Sequence, residues 1–163
     1  ASACWLKAHL AWERRDAAAL AVWLDLTVAA DERPAEFWLN GARMLAHDVT
    51  AWRTPARAPA AVRRRIELAQ ARAACAFLER GLRWGGPAGA LEVERGLILL
   101  HRGRDLAGAG RCFARAAALP GAPEHVGRIH ARLQRRLAGR GTPADRDDFD
   151  LAAGNPRTGD PPP

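Results

Sequence analysis

Apolar residues recur along most of the chain at the three- and four-residue spacing typical of helices with one buried face. Residues 59–83 show this stripe most clearly, in Val62, Ile66, Ala69, Ala73 and Phe77. Breaks in the periodicity, several of them marked by proline or glycine, separate the chain into seven predicted helices. These helices span residues 2–14, 17–30, 35–49, 59–83, 88–102, 106–118 and 123–138. The pattern therefore predicts an all-α protein.

The composition supports this prediction. Alanine and leucine, which favour helices, are abundant, whereas tyrosine is absent from the 163 residues. The chain is long enough to bury a core as one domain. From Gly139 onward the periodicity is lost, and a segment rich in proline and aspartate ends in three prolines. We therefore expect a helical domain over residues 1–139 and a C-terminal tail over residues 140–163.

A pattern of tryptophan followed by small residues recurs one helix pair apart. The first copy, W-x2-A-H-x2-W, begins at Trp5, and the second, W-x2-G-A-x2-L, begins at Trp38, 33 residues later. A third copy is clearest in its second helix, where A-x3-F-x2-A begins at Ala109. Recurrence at this period indicates helix hairpins that stack on one another, each covering the apolar face of its neighbour.

These motifs resemble the tetratricopeptide repeat superfamily, whose pattern opens W-x2-L-G-x2-Y and continues with A-x3-F-x2-A. The resemblance covers roughly residues 2–120 and implies a right-handed superhelix of antiparallel helix pairs. The stretch F-W-x2-G-A-R-M-x-A-x-D-x3-W-R, beginning at Phe37, is similar to uncharacterised bacterial members, some of them behind a membrane anchor. The implied units are repeats at about 2–33, at 35–84 with an insertion at 50–59, and at 88–121, followed by a capping helix at 123–138.

The resemblance also implies a concave groove, lined by the first helix of each pair, that binds a peptide. The groove candidates are Lys7, Glu36, Leu39, Asn40, Arg43, His47, Arg95 and His101. In carboxylate-binding members an asparagine stands where Asn40 falls and a basic residue where Arg95 falls. The functional hypothesis is that Asn40, Arg43 and Arg95 hold a peptide backbone or an acidic group. The alternative is that Arg43 pairs internally with Asp48 or Glu36, and that Asn40 caps a turn.

The charge pattern leaves other roles open. The net charge is +7, and Lys7 is the only lysine beside many arginines, an excess that a GC-rich genome would also produce. The middle of the chain is basic, whereas residues 1–50 and 141–163 are acidic. One alternative function is an arginine-rich adaptor for nucleic acid or an anionic membrane surface.

A second consequence of the charge pattern is self-docking. Phe149 and Leu151 lie in the acidic tail and could anchor it on a basic surface that includes Arg132 and Arg136, or in the groove of the same or a neighbouring molecule. Self-association through an uncapped end of the stack is a further expectation.

No arrangement of residues in the sequence is typical of an active site. Metalloprotease, nucleophile-elbow and phosphate-loop motifs are missing, and the three cysteines have no CxxC spacing. We expect buried free thiols, no metal, no cofactor and no catalytic activity. The sequence thus favours a protein–protein interaction module with a peptide or protein partner.

No stretch approaches the ~20 apolar residues that cross a bilayer. The predicted location is the cytoplasm. The alternative is a tether to the bacterial inner membrane through a segment upstream of Ala1.

Overall fold

The computed structural model describes residues 1–139, so predictions about Phe149 and Leu151 lie outside the described residues. Within 1–139 the secondary structure is entirely helical, without strands. The elements are α1 (Ser2–Glu13), α2 (Ala17–Ala30), α3 (Ala35–Arg43), π1 (Met44–Asp48), α4 (Val49–Arg53), α5 (Ala60–Arg83), α6 (Ala88–Ile98), π2 (Leu99–Gly103), α7 (Leu106–Ala117) and α8 (Glu124–Leu137).

Two of these elements are single π-helical turns inside longer helices. Because π1 joins α3 to α4 and π2 continues α6, the described chain contains seven continuous helices, as predicted. The third helix ends at Arg53 rather than at residue 49, and the connection at 54–59 is non-helical. The all-α prediction is confirmed.

The turns before α2 and α7 are built in the same way. An arginine in the left-handed backbone region, Arg15 with φ 54° or Arg104 with φ 53°, ends the preceding helix. The next residue, Asp16 or Asp105, caps the following helix by accepting hydrogen bonds from its first backbone N–H groups. The Arg-Asp dipeptide therefore marks the tight reversal in two of the helix hairpins.

Helices pack mainly on the next one or two elements along the chain. α1 packs on α2, the α3–π1–α4 segment packs on α5, and α6 with π2 packs on α7, which also contacts α8. α3 further contacts α6. We call α1 with α2, α3–π1–α4 with α5, and α6–π2 with α7 the three helix pairs. α5 also packs on α6 and π2.

A glycine lies against a phenylalanine ring in two of these pairs. A Cβ atom on Gly41 would lie 2.9 Å from the Phe77 ring, and one on Gly96 would lie 2.9 Å from the Phe113 ring. Both rings are almost fully buried. The missing side chain thus lets the two helices of each pair approach closely.

The largest buried side chain is that of Trp38, which is 0% exposed. Its ring centroid lies 4.9 Å from that of Phe77, and its indole N–H donates to the Glu32 carbonyl at 2.7 Å. Trp38 belongs to a core formed by α1–α6, whereas Phe113 belongs to a second core beneath α8. The two cores meet around α6, so this helix connects both halves of the domain.

We predict that Gly96→Ala destabilises the protein by about 1–2 kcal/mol, because overpacking against Phe113 outweighs the higher helix propensity of alanine. The matched control is Gly127→Ala on α8, where a Cβ atom meets nothing within 4 Å. This control should stabilise by roughly 0.5–1 kcal/mol. Urea unfolding followed by circular dichroism measures both changes, and a stabilised Gly96→Ala variant would contradict the prediction.

Candidate functional site

Four of the groove candidates lie on one side of α3 and π1. Glu36, Asn40, Arg43 and His47 follow one another at helical spacing, opposite the buried Trp38. All four are accessible to solvent, Asn40 least so. We call these four residues, together with Glu94 and Arg102 beside them, the inner stripe.

Arg43 pairs with Glu94 of α6. The guanidinium donates from Nε and Nη2 to the two carboxylate oxygens at 3.0 and 2.7 Å. The Glu94 side chain is 6% exposed, whereas that of Arg43 is 53% exposed. The hydrogen bond with Glu94 raises the pKa of Arg43. The alternative in which Arg43 pairs with Asp48 or Glu36 is therefore wrong, because α6 presents a nearly buried carboxylate that needs a partner.

His47 contacts Arg102 of π2. The Arg102 guanidinium donates to His47 Nδ1 from Nε at 3.1 Å and from Nη2 at 2.7 Å. Burial, and then the charge of Arg102, lower the pKa of His47 below its ordinary 6.5. The imidazole is thus neutral at pH 7 and carries its proton on Nε2. Within residues 1–139, no carboxylate forms an ion pair with Arg102.

The two π turns hold this contact. The Val49 N–H bonds the Met44 carbonyl and the Arg104 N–H bonds the Leu99 carbonyl, which is the five-residue step of a π turn. Such turns are frequent at functional sites. No residue-type signal marks them, so neither π turn is predictable from the sequence.

Arg64 of α5 fixes the end of π2. Its two terminal nitrogens donate to the carbonyls of Arg102 and Gly103, each at 2.7 Å. A cation at this end satisfies carbonyls that the helix leaves unpaired. The Arg102 backbone is therefore anchored on one side while its guanidinium is held by His47.

On the α1 side, Asp48 accepts a hydrogen bond from the Trp12 indole at 2.8 Å. This contact keeps Trp12 near the surface, 37% exposed. α1 is thereby linked to π1 next to the inner stripe.

The remaining candidates are distributed over other surfaces. Arg95 pairs with Glu79 of α5 and lies 4.0 Å from Glu92, so it faces α5 and not Asn40. The ammonium of Lys7 lies 4.4 Å from the centre of the Trp23 ring, towards α2. Leu39 is half-buried against the core, and His101 is half-buried on π2. Burial and then Arg102 lower the pKa of His101.

The predicted tail-docking arginines, Arg132 and Arg136, lie on α8. Both make interactions in the structure, and the apolar anchors predicted to meet them lie outside the described residues.

Cys75 and Cys112 are buried free thiols, as expected, whereas Cys4 is half-buried. Burial raises the pKa of each of the two buried thiols to about 11, so neither is a reactive thiolate at neutral pH. Across residues 1–139 no group of three metal-ligating side chains is placed to hold an ion.

Comparison with protein-family models, with curated proteins and with solved structures finds no match. None of the helices in the described part of the chain has both the length and the apolar character needed to cross a membrane.

We predict that Arg43→Met destabilises the fold by about 1–2 kcal/mol, because Glu94 would remain nearly buried without a counter-charge. Partial exposure of the pair keeps the loss below that of a fully buried one. Arg33→Met is the matched control, since Arg33 pairs with Asp31 at the surface and its own side chain is 86% exposed. The control should change stability by less than about 0.5 kcal/mol. Urea unfolding measures both changes, and equal losses of unfolding free energy in the two variants would contradict the prediction.

A second prediction concerns pH. The pKa values of His47 and His101 are lower in the folded state than in the unfolded chain, whose histidines titrate near the ordinary value of 6.5. Below pH 6.5 the unfolded chain therefore binds protons more readily than the folded protein. The contribution of these two histidines to stability is complete above pH 6.5 and is lost as the pH falls through their folded-state pKa values. His47→Gln should flatten this decline below about pH 6.5. A slope of unfolding free energy against pH that is the same in wild type and in His47→Gln would contradict the prediction.

Proposed function

We propose that this chain is a tetratricopeptide-like repeat protein that acts as a non-catalytic interaction module and binds an acidic peptide segment along the inner stripe. Two features support the repeat assignment: the packing of helix pairs in chain order, and the glycine–phenylalanine contacts at Gly41 and Gly96. In repeat proteins each unit contacts only its neighbours, which creates an extended surface along the first helices.

The first helices of the three pairs make lateral contacts that fit such a surface. The rings of Trp5 on α1 and Phe37 on α3 lie 5.2 Å apart. Arg43 on α3 binds Glu94 on α6 at 2.7 Å. A layer formed by α1, α3 and α6 would be the lining of the proposed groove.

The main support for an acidic ligand is the environment of the Arg102 guanidinium. Its guanidinium is held by a neutral imidazole rather than by a carboxylate, so its charge is not neutralised by its partner. Arg43, half exposed, lies close enough to His47 to lower that residue's pKa. A guanidinium that is held on an accessible stripe without a carboxylate partner favours an anionic ligand such as a carboxylate, which accepts charge-assisted hydrogen bonds from arginine.

The groove would bind such a segment weakly. A short peptide covers a limited area and loses conformational freedom on binding. Affinities in the micromolar range are therefore the expectation for single peptides.

The test uses an array of random heptapeptides with free carboxyl termini, each paired with its C-terminal amide. We predict that the preferred peptides are acidic or depend on the free carboxylate, and that Arg102→Leu weakens binding by about tenfold or more, which corresponds to one charge-assisted contact. Arg111→Leu on α7 removes the same charge from an exposed position and should change affinity less than about twofold. Fluorescence anisotropy of the best peptides gives both affinities, and equal effects of the two variants would overturn the proposal.

Nucleic-acid binding is the competing outcome. At least seven arginines in residues 1–139 pair with carboxylates, which reduces the free positive charge available to phosphates. Titration with a DNA duplex at increasing salt distinguishes the two functions. Tight duplex binding that falls steeply with salt would favour the arginine-rich adaptor instead.

A further inference from the structure

Arginines without a carboxylate partner are concentrated on α5 and in the segment just before it. In this part of the chain Arg64 pairs with Glu67, and Arg80 pairs with Asp25. The other arginines between positions 53 and 83 form no ion pair within residues 1–139, and all of them are exposed: Arg53, Arg57, Arg63, Arg65, Arg72 and Arg83. The segment therefore carries positive charge that is accessible to solvent.

Three of these arginines lie in one line along α5. Arg72 follows Arg65 by seven residues and precedes Arg83 by eleven, which is close to two and three turns of an α-helix. The arginines are therefore about 11 and 16 Å apart along the helix axis. The opposite side of α5 is buried in the domain by residues such as Ala74 and Phe77. We call Arg65, Arg72 and Arg83 the basic face of α5.

Small apolar residues separate the arginines of the basic face. Ala69 and Ala76 are exposed on the same side of the helix, so no large side chain stands between the guanidinium groups and a flat surface. α5 has two acids, Glu67 and Glu79, and each of them pairs with an arginine outside the basic face. The charge of the basic face is thus not neutralised by acids of its own helix.

An exposed apolar side chain lies at each end of the basic face. Val62 precedes Arg65 by three residues and is 43% exposed, whereas Trp84 directly follows Arg83 and is 44% exposed. The Trp84 ring packs edge-on against Trp38, with ring centroids 6.0 Å apart, so the indole is held in place. Indole rings of this kind, part packed and part wet, are enriched where lipid meets water.

We propose that the basic face of α5 binds the surface of an anionic phospholipid bilayer, with α5 parallel to the membrane plane. Charge complementarity supports this occupant, because each arginine near an anionic leaflet strengthens binding by about fivefold. α5 has 24 residues and is about 36 Å long, so its three aligned guanidinium groups can reach one plane together. Lipid headgroups diffuse within the bilayer, so widely spaced arginines can each attract a phosphate without a fixed register.

The same arginines would attract the phosphates of a nucleic acid, and the apolar residues favour the bilayer. A phosphodiester backbone offers no apolar contact for Val62, whereas the lipid interface accommodates both Val62 and Trp84. The alanines between the arginines can neither hydrogen-bond to base edges nor stack on unpaired bases. The side chains of this surface therefore fit lipid better than nucleic acid.

Co-sedimentation of the full chain with phospholipid vesicles tests the proposal. We expect binding to phosphatidylcholine vesicles with about 30% phosphatidylglycerol, and none to pure phosphatidylcholine. Binding should weaken as the salt concentration rises from about 0.05 to 0.3 M, because exposed charges are screened. The triple variant Arg65→Gln, Arg72→Gln, Arg83→Gln should bind on the order of a hundredfold more weakly.

The matched control removes the same charge from exposed arginines on other elements. The triple variant Arg14→Gln, Arg15→Gln, Arg111→Gln alters side chains that also form no ion pair within residues 1–139. It should weaken vesicle binding by less than about threefold, since only long-range charge is lost. Circular dichroism verifies that both triple variants fold. Equal losses in the two triple variants, or equal binding to neutral and anionic vesicles, would overturn the proposal.

Tryptophan fluorescence supplies a readout that does not depend on the triple variants. Anionic vesicles should shift the emission of the wild-type chain to shorter wavelength, and Trp84→Phe should remove most of that shift. A shift that persists in Trp84→Phe would count against the proposal, as would a DNA duplex that binds through the basic face more tightly than the vesicles. The inner stripe lies on other helices, so failure of one proposal leaves the other standing.

Discussion

The close contact between a glycine on one helix and a phenylalanine ring on the next is the constraint on which the rest of this structure depends. It places Gly41 against Phe77 and Gly96 against Phe113, and in each case a methyl group would already collide with the ring. Such close packing gains dispersion energy over many atom pairs and leaves little freedom for sliding. The relative position of the helices in these two pairs is therefore fixed before any polar contact is considered.

The polar contacts between neighbouring pairs depend on that fixed packing. Arg43 can reach both oxygens of Glu94 only if α3 and α6 lie side by side in one register. The same register brings π1 and π2 together, so that Arg102 meets His47. The packing of α6 and π2 on α3 and α5 therefore determines the electrostatic surface across the pairs. A ligand at the inner stripe would then meet groups already held in place, which lowers the ordering cost of binding.

Sequence periodicity predicted the seven helices because each buried face and each proline or glycine break is a local property. The predicted site was less accurate for a non-local reason. Arg43 has two acidic neighbours on its own segment, yet its partner Glu94 is 51 residues away, beyond the long second hairpin. Only the packing of α3 on α6 determines that choice.

The π turns also limit how well the repeats of this chain can be aligned by their sequence motifs. Gly96 lies 17 residues before Phe113, whereas Ala8 lies 16 before Leu24 in the first pair. One extra residue in a helix rotates the following side chains by about 100°. Extrapolation of a repeat pattern across π2 can therefore assign a side chain to the wrong side. Arg95 precedes π2, so its absence from the groove has another cause: α6 packs on α5, and Arg95 pairs with Glu79 of α5.

The two ends of the described domain differ in the polarity of their exposed surfaces. α8 covers the second core with Val126 and Leu133, and most of its other positions are polar, including a series of arginines. The α1–α2 pair instead presents aliphatic side chains outward. The α8 end is therefore covered by groups that water solvates well, whereas the α1–α2 pair leaves apolar surface in contact with solvent. The inner stripe lies on α3, π1, α6 and π2, which belong to neither of these two ends.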